Sequence, residues 1–288
     1  MKFVSYWQEG SPRFGVVQGD YAVDLGSAIP GFPGDIRVAL ESGLDIVGAA
    51  KQALASDING VPLKDLSFAP PVIEPRKVIC LGLNYYDHAK EGGREKPTYP
   101  WLFTRTASSF VAHDEDVMLP VVSEQLDYEA ELVVVIGKHG KHVAPEDALD
   151  LVFGYSCFND VSVRDYQKRT PQWTIGKNFD RTGAFGPYLV TADDLPPGAS
   201  GLKIVGRLNG EVMQTATTTD MIWDVRETIV LVSACLTLEP GDVLVMGTPA
   251  GVGQSRQPPV WLKDGDTFEV EIEGVGTLRN SVRRERKS

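Results

Sequence analysis

The chain has 288 residues, with 39 acidic against 28 basic side chains and a formal net charge of −11. A negative excess of this size opposes nucleic acid and anionic membrane surfaces as partners. No apolar run approaches the roughly 20 residues that span a bilayer, and the start MKFVSYWQEG has no signal-peptide core, so a cytoplasmic protein is expected. Cys80, Cys157 and Cys235 are odd in number, far apart and set in apolar runs, which reads as buried free thiols rather than a disulfide framework.

Residues 1–66 read as short strands (KFVSYW, FGVVQG, YAVDL) followed by helical pieces near Ile36 to Leu40 and Ile46 to Ala55, a small α+β domain over residues 1–70. The segment APPVIEPRK holds three prolines and suits a linker. Residues 71–288 then turn strand-rich, with VICLGL, ELVVVIG, VFGYSCF, GPYLV, LKIVGRLNG, DVLVMG, FEVEIEG and GTLRNSV. Asn209-Gly210 and Asp264-Gly265 mark turns between alternating strands. The best helix is Val225 to Leu236, with Asp224 placed as its N-cap. Strand-helix alternation is missing, so the expected class is α+β and mainly β, with peripheral helices. The basic run Arg279 to Lys287 reads as a frayed, solubilising end.

In chain order, the chemistry begins at GLNYYDHAKEGG, where His88 and Glu91 are three apart and share one face of a helical turn. A carboxylate beside an imidazole raises its basicity and fixes its tautomer, which suits activation of water; a surface ion pair is the other reading. Gly92 and Gly93 suggest a mobile lid over residues 85–100. In DYEAELVVVIG, Asp127, Glu129 and Glu131 alternate onto one strand face, and Asp160 ends a second apolar run. Such a cluster is either solvated or held by a hard divalent cation, for which an all-oxygen set suits Mg²⁺ or Mn²⁺. VSVRDYQKR places Arg164 and Gln167 on one helical face, IGKNFDRTGAFGP brings Lys177, and VMGTPAGVG ends a strand in a loop with Thr248. A cation, an amide and a hydroxyl near an anionic centre would orient a carboxylate or carbonyl substrate.

Five ordered motifs resemble the fumarylacetoacetate hydrolase family: N-Y-x-D-H-x-x-E from Asn84, E-x-E from Glu129, N-D-x-S-x-R-D-x-Q from Asn159, G-K-x-F-D from Gly176 and M-G-T-P-x-G from Met246. The resemblance implies a mixed β-roll core, a small N-terminal domain and a homodimer. It also implies that Glu129, Glu131 and Asp160 ligate Mg²⁺ or Mn²⁺ with Asp127 as a neighbour, that His88 and Glu91 activate water on a lid, and that Lys177, Gln167, Arg164 and Thr248 lie near the ligand. Two segments depart from the family pattern. Arg105-Thr106 stands where Lys-Pro is common, which makes Arg105 a candidate substrate contact, and RTGAFGP replaces a loop that often begins Cys-Pro.

The implied reaction is metal-dependent hydrolysis of a carbon-carbon bond in a 1,3-dicarbonyl oxo acid of the acylpyruvate or fumarylacetoacetate type, passing through an enolate that Lys177 helps to stabilise. Decarboxylation of an oxaloacetate-type β-keto acid is the alternative, followed by isomerisation or hydration of unsaturated oxo acids. A metal-binding protein without catalysis is the remaining reading. Trp101, Phe103 and Phe185 point to an apolar or aromatic tail on the substrate, whereas Arg105 would favour a carboxylate there.

Overall fold

The computed structural model describes residues 1–286. Its centre is the strand Ala130–Ile136, buried along its whole length and apolar on both faces from Leu132 onward. Leu132, Val134 and Ile136 enter one hydrophobic cluster, and Val133 and Val135 enter a second on the opposite face. Its antiparallel neighbours are Val152–Asp160, with Glu131 opposite Phe158, and Val243–Val245, with Val133 opposite Val245. The strand Val243–Val245 in turn runs parallel to Val78–Gly82, so four segments that carry candidate site residues end side by side.

This sheet is mixed and long. It continues from Val152–Asp160 to Gly183–Thr191 and from there to Lys2–Gln8, Ser11–Gln18 and Tyr21–Asp24. The three N-terminal strands therefore extend the sheet of the core, joined where Phe3 faces Leu189, and Phe3, Phe14 and Val23 share an apolar layer with Val135, Phe158 and Phe185. Two short helices follow, Ile36–Glu41 and Ile46–Leu54, capped by Asp35 and Asp45. Residues 69–77 carry neither helix nor strand.

A second sheet of five strands packs across the first. Its hairpin turns at Asn209-Gly210, where both residues take the positive φ that a tight two-residue turn requires. The helix Val225–Cys235 starts at Asp224, whose carboxylate accepts the Glu227 N–H at 2.8 Å while Glu227 accepts the Asp224 N–H at 3.1 Å. Loss of such a cap costs about 1 kcal/mol.

Two local expectations need correction. Cys80 and Cys157 are buried free thiols, but Cys235 is exposed at the end of its helix, where the apolar stripe has already turned away from the sheet. The basic C-terminal run is not a frayed end: Gly276–Arg284 is a strand, and Arg279, Arg283 and Arg284 pair with Asp114, Asp116 and Glu124. Lys287 lies outside the described residues.

Candidate active site

Carboxylate oxygens of Glu129, Glu131 and Asp160 come within 4.8 Å of one another at the floor of a cavity of about 790 Å³. All three side chains are buried. Backbone hydrogen bonds hold the group together. The Asp160 N–H donates to the Glu129 carbonyl at 2.9 Å, and the Asn159 side chain accepts the Glu129 N–H at 3.0 Å. Glu131 accepts the Gly247 N–H at 2.6 Å, which ties it to the loop after Val243–Val245.

Three buried cations face these acids. Lys177 Nζ reaches Glu129 at 2.5 Å and Asp160 at 2.6 Å. Arg164 joins Glu129 at 2.6 Å to Asp127 at 2.8 Å, and Arg105 holds Asp160. Burial raises Glu129, but Arg164 and Lys177 outweigh it and hold the carboxyl well below the usual range. Glu131 goes the other way. Burial pushes it well above the ordinary value, Asp160 and Glu129 add to this, and Lys177 with the Gly247 N–H offsets only part. Lys177 stays charged, since Asp160 and Glu129 outweigh the effect of its burial. A divalent cation fits this floor on the chemistry of the donors. They are all oxygen, and the carboxylate with no cation of its own is the one that its neighbours destabilise.

His88 and Glu91 lie on the helix Tyr86–Glu91, at the wall of the same cavity. His88 Nδ1 is 2.7 Å from Glu91 Oε1, and Glu91 Oε2 accepts the Gly251 N–H at 2.9 Å. The helix is seated by Asn84, whose amide donates to the Met246 and Trp223 carbonyls at 2.7 and 3.0 Å. Beyond it residues 92–96 are exposed.

The site residues expected from sequence fall into two groups. His88, Glu91, Glu129, Glu131, Asp160, Arg164, Gln167, Lys177 and Thr248 all line the cavity. Arg105 does not. Its guanidinium is consumed by Asp160, Ser109 and the Val161 carbonyl at 2.6 Å, so it positions an acid instead of meeting a substrate. Arg164 commits three of its five donors to Asp127, Glu129 and Gln167, and the Thr248 hydroxyl donates to the Ala130 carbonyl while accepting from Gln214, so both are anchored in the cavity lining with part of their hydrogen-bonding capacity unspent. Asp127 leaves the shared strand face, because the strand breaks after it and its carboxylate turns to the Gly253 and Gln254 N–H groups at 2.7 and 3.1 Å. Phe185 is core, packed edge-on to Phe110 and Phe158. Trp101 and Phe103 do line the cavity.

Trp173 was not among the expected residues. It stacks on Trp101 at 5.4 Å and meets Phe103 edge-on at 5.6 Å. Its ring lies over Gly82, where a Cβ would come within 2.1 Å of it, and its carbonyl accepts the Lys177 N–H at 3.2 Å. Its spacing of four residues from Lys177, one helical turn, is the sequence feature that could have revealed it.

Residues 77–283 match the model of the fumarylacetoacetate (FAA) hydrolase C-terminal family. The chain belongs to the fumarylacetoacetate hydrolase family. Among curated relatives, the human protein named oxaloacetate tautomerase FAHD2A, mitochondrial, is 41% identical over 275 residues, 94% of this chain and 87% of the relative. The rat oxaloacetate tautomerase Fahd2a, mitochondrial, is 42% identical over 265 residues, 92% and 84% of the two chains. Among solved members, fumarylacetoacetate hydrolase from Exiguobacterium antarcticum superposes with a TM-score of 0.85 at 37% identity, over 99% of this chain and 100% of that one. Maleylpyruvate hydrolase from Sphingobium sp. SYK-6, in complex with manganese(II) and pyruvate, gives 0.82 at 31% identity over the same shares. The family accounts for the mainly β fold and the acidic floor; hydrolase, isomerase and tautomerase names all occur among these relatives. No helix of the described residues is long and apolar enough to cross a membrane.

Proposed function

We propose that this chain is a metal-dependent enzyme that moves a proton next to the oxo group of a short 2-oxo acid, interconverting keto and enol forms of an oxaloacetate-type substrate. The observation that carries the reading is the chain from His88 Nδ1 through Glu91 to the Gly251 N–H, beside the acidic floor. Glu91 is held at both oxygens. It orients the imidazole with its second ring nitrogen free of protein partners among the described residues, where it can take a proton from substrate. Glu129, Glu131 and Asp160 would hold Mg²⁺ or Mn²⁺, which supplies Lewis-acid stabilisation of charge developing on the oxo-acid oxygens. Lys177 keeps its proton and lies between Glu129 and Asp160, where it stabilises negative charge at the floor. The Gln167 carbonyl oxygen accepts from Arg164 at 3.0 Å, so its amide N–H₂ is left to donate to substrate oxygen. The sequence similarity to oxaloacetate tautomerases over nearly the whole chain supports this assignment.

Carbon-carbon hydrolysis of an acylpyruvate is the second reading. In it His88 takes a proton from water, and the water attacks the distal carbonyl. A cavity of about 790 Å³, larger than a four-carbon acid fills, favours it, as does the likeness to maleylpyruvate hydrolase. Decarboxylation of oxaloacetate uses the same floor without an activated water. The deciding experiment gives Mg²⁺- or Mn²⁺-loaded protein both oxaloacetate and acylpyruvates, following the enol absorbance, carbon dioxide and pyruvate. Faster keto-enol exchange with no loss of carbon supports the tautomerase. Pyruvate released from an acylpyruvate at higher kcat/KM, or carbon dioxide from oxaloacetate, replaces it with one of the others. A homodimer and a cytoplasmic location belong to the same proposal, tested by scattering of the purified chain and by cell fractionation.

A further inference from the structure

The mouth of the cavity reverses the charge of its floor. Glu129, Glu131 and Asp160 are buried, whereas Arg94, Lys168 and Arg169 line the outer wall and are exposed. A cationic rim on a chain of net charge −11 runs against the composition. None of the three pairs with a carboxylate among the described residues, and for the two arginines this is unusual. Apart from Arg286 near the C-terminal end, every other arginine guanidinium among the described residues pairs with a carboxylate or donates to a main-chain carbonyl. Arg94 and Arg169 do neither.

Each instead lies over an aromatic ring. Arg94 Cζ is 4.9 Å from the Trp101 ring centre, and Arg169 Cζ is 3.6 Å from that of Tyr166. Both rings are themselves fixed, Trp101 by Trp173 and Tyr166 by an edge-on contact with Phe179 at 5.0 Å. A ring beneath a guanidinium holds its plane and leaves the N–H donors along its edge unspent. Arg94 follows the helix that carries His88, and Arg169 follows the turn that carries Arg164 and Gln167, so the two reach the cavity lining from separate segments of the chain.

We infer that Arg94 and Arg169 form a two-sided clamp for a second carboxylate on the substrate, which makes the preferred ligand a dianionic 2-oxo acid. The inference rests on the reading of the floor as a 2-oxo acid site and adds the residues that choose among such acids. A guanidinium meets a carboxylate with two parallel hydrogen bonds, and a clamp divided between segments ties the one bearing His88 to the one bearing Gln167 once the ligand is in place.

The test measures binding by tryptophan fluorescence in Mg²⁺-saturated protein, with oxaloacetate and with 2-oxobutyrate, which has a methyl group where oxaloacetate has its second carboxylate. Arg94→Gln and Arg169→Gln are each expected to weaken oxaloacetate about tenfold, the usual effect of losing a charged hydrogen bond. The affinity for 2-oxobutyrate should change by less than about twofold, and the salt dependence of oxaloacetate binding should flatten. Arg94→Lys keeps the charge without the fork and should recover part of the loss. Equal weakening of both acids, or of neither, overturns the clamp. Parental protein that prefers oxaloacetate but turns it over into nothing overturns the reaction proposed above while leaving the clamp in place.

Discussion

The Glu91 carboxylate bonds His88 Nδ1 with one oxygen and the Gly251 N–H with the other, joining segments 160 residues apart in sequence. The helix that bears the base is thereby tied to the loop whose Gly247 N–H holds Glu131. Proton transfer and the acidic floor are therefore mechanically linked.

The first prediction follows from that link. His88→Ala should lower kcat for the enzyme's oxo acid by roughly a hundredfold or more, the range for loss of a general base, and leave Mg²⁺ affinity unchanged. Glu91→Gln should lower kcat less, because the imidazole keeps a hydrogen-bonding neighbour but loses the carboxylate that orients it. Parental kcat in His88→Ala would remove the base from the site.

Glu131 sets the pH dependence of the metal-free protein. Its folded pKa is raised above the ordinary 4.5 by burial and by Asp160 and Glu129. A proton bound more tightly in the folded chain stabilises it below the unfolded pKa, and that stabilisation is lost as pH rises through the folded value. Between about pH 5 and 8, Tm of the metal-free protein should fall with pH, Mg²⁺ should reverse the fall, and Mg²⁺ binding at the acid end should release a proton. Glu131→Gln has no proton to lose and should flatten the slope. Identical slopes in the two proteins would reject this account.

Arg105 is expected to matter through Asp160. Removing it leaves the buried Asp160 carboxylate with Lys177 as its remaining cation, so the cost should fall below the roughly 3–5 kcal/mol of a fully orphaned buried charge. Arg105→Met should lower the denaturation midpoint accordingly and weaken Mg²⁺ binding seen by calorimetry. Its KM with saturating metal should stay near the parental value. A raised KM with unchanged stability would restore Arg105 to the substrate.

Gly82 gives Trp173 its seat. A methyl group there meets the ring at 2.1 Å, so Gly82→Ala must displace it and, through the Trp173 carbonyl, the turn that carries Lys177. Tryptophan fluorescence should change and kcat should fall. An unchanged spectrum in Gly82→Ala would rule out the packing described.

Local pattern alone determined a good deal here. The run ELVVVIG declares a buried strand, Asn209-Gly210 declares a hairpin, and Asp224 with Glu227 declares a helix start, because each depends on neighbours within a few residues. The order of five short motifs was enough to name the family, and the E-x-E spacing brought Glu129 and Glu131 to one side of a strand. What only the tertiary structure decided is which partner each charge takes. Arg105 and Arg164 had the composition of substrate contacts, yet each is anchored by an acid, Asp160 and Asp127, that lies 55 and 37 residues away. Phe185, in a segment that departs from the family pattern, entered the core, and Trp173, which lies in none of the five motifs, took the wall. A buried ion pair or a seated ring is chosen by the distance between segments after folding, and sequence spacing carries no information about that distance once it exceeds a turn or a strand pair.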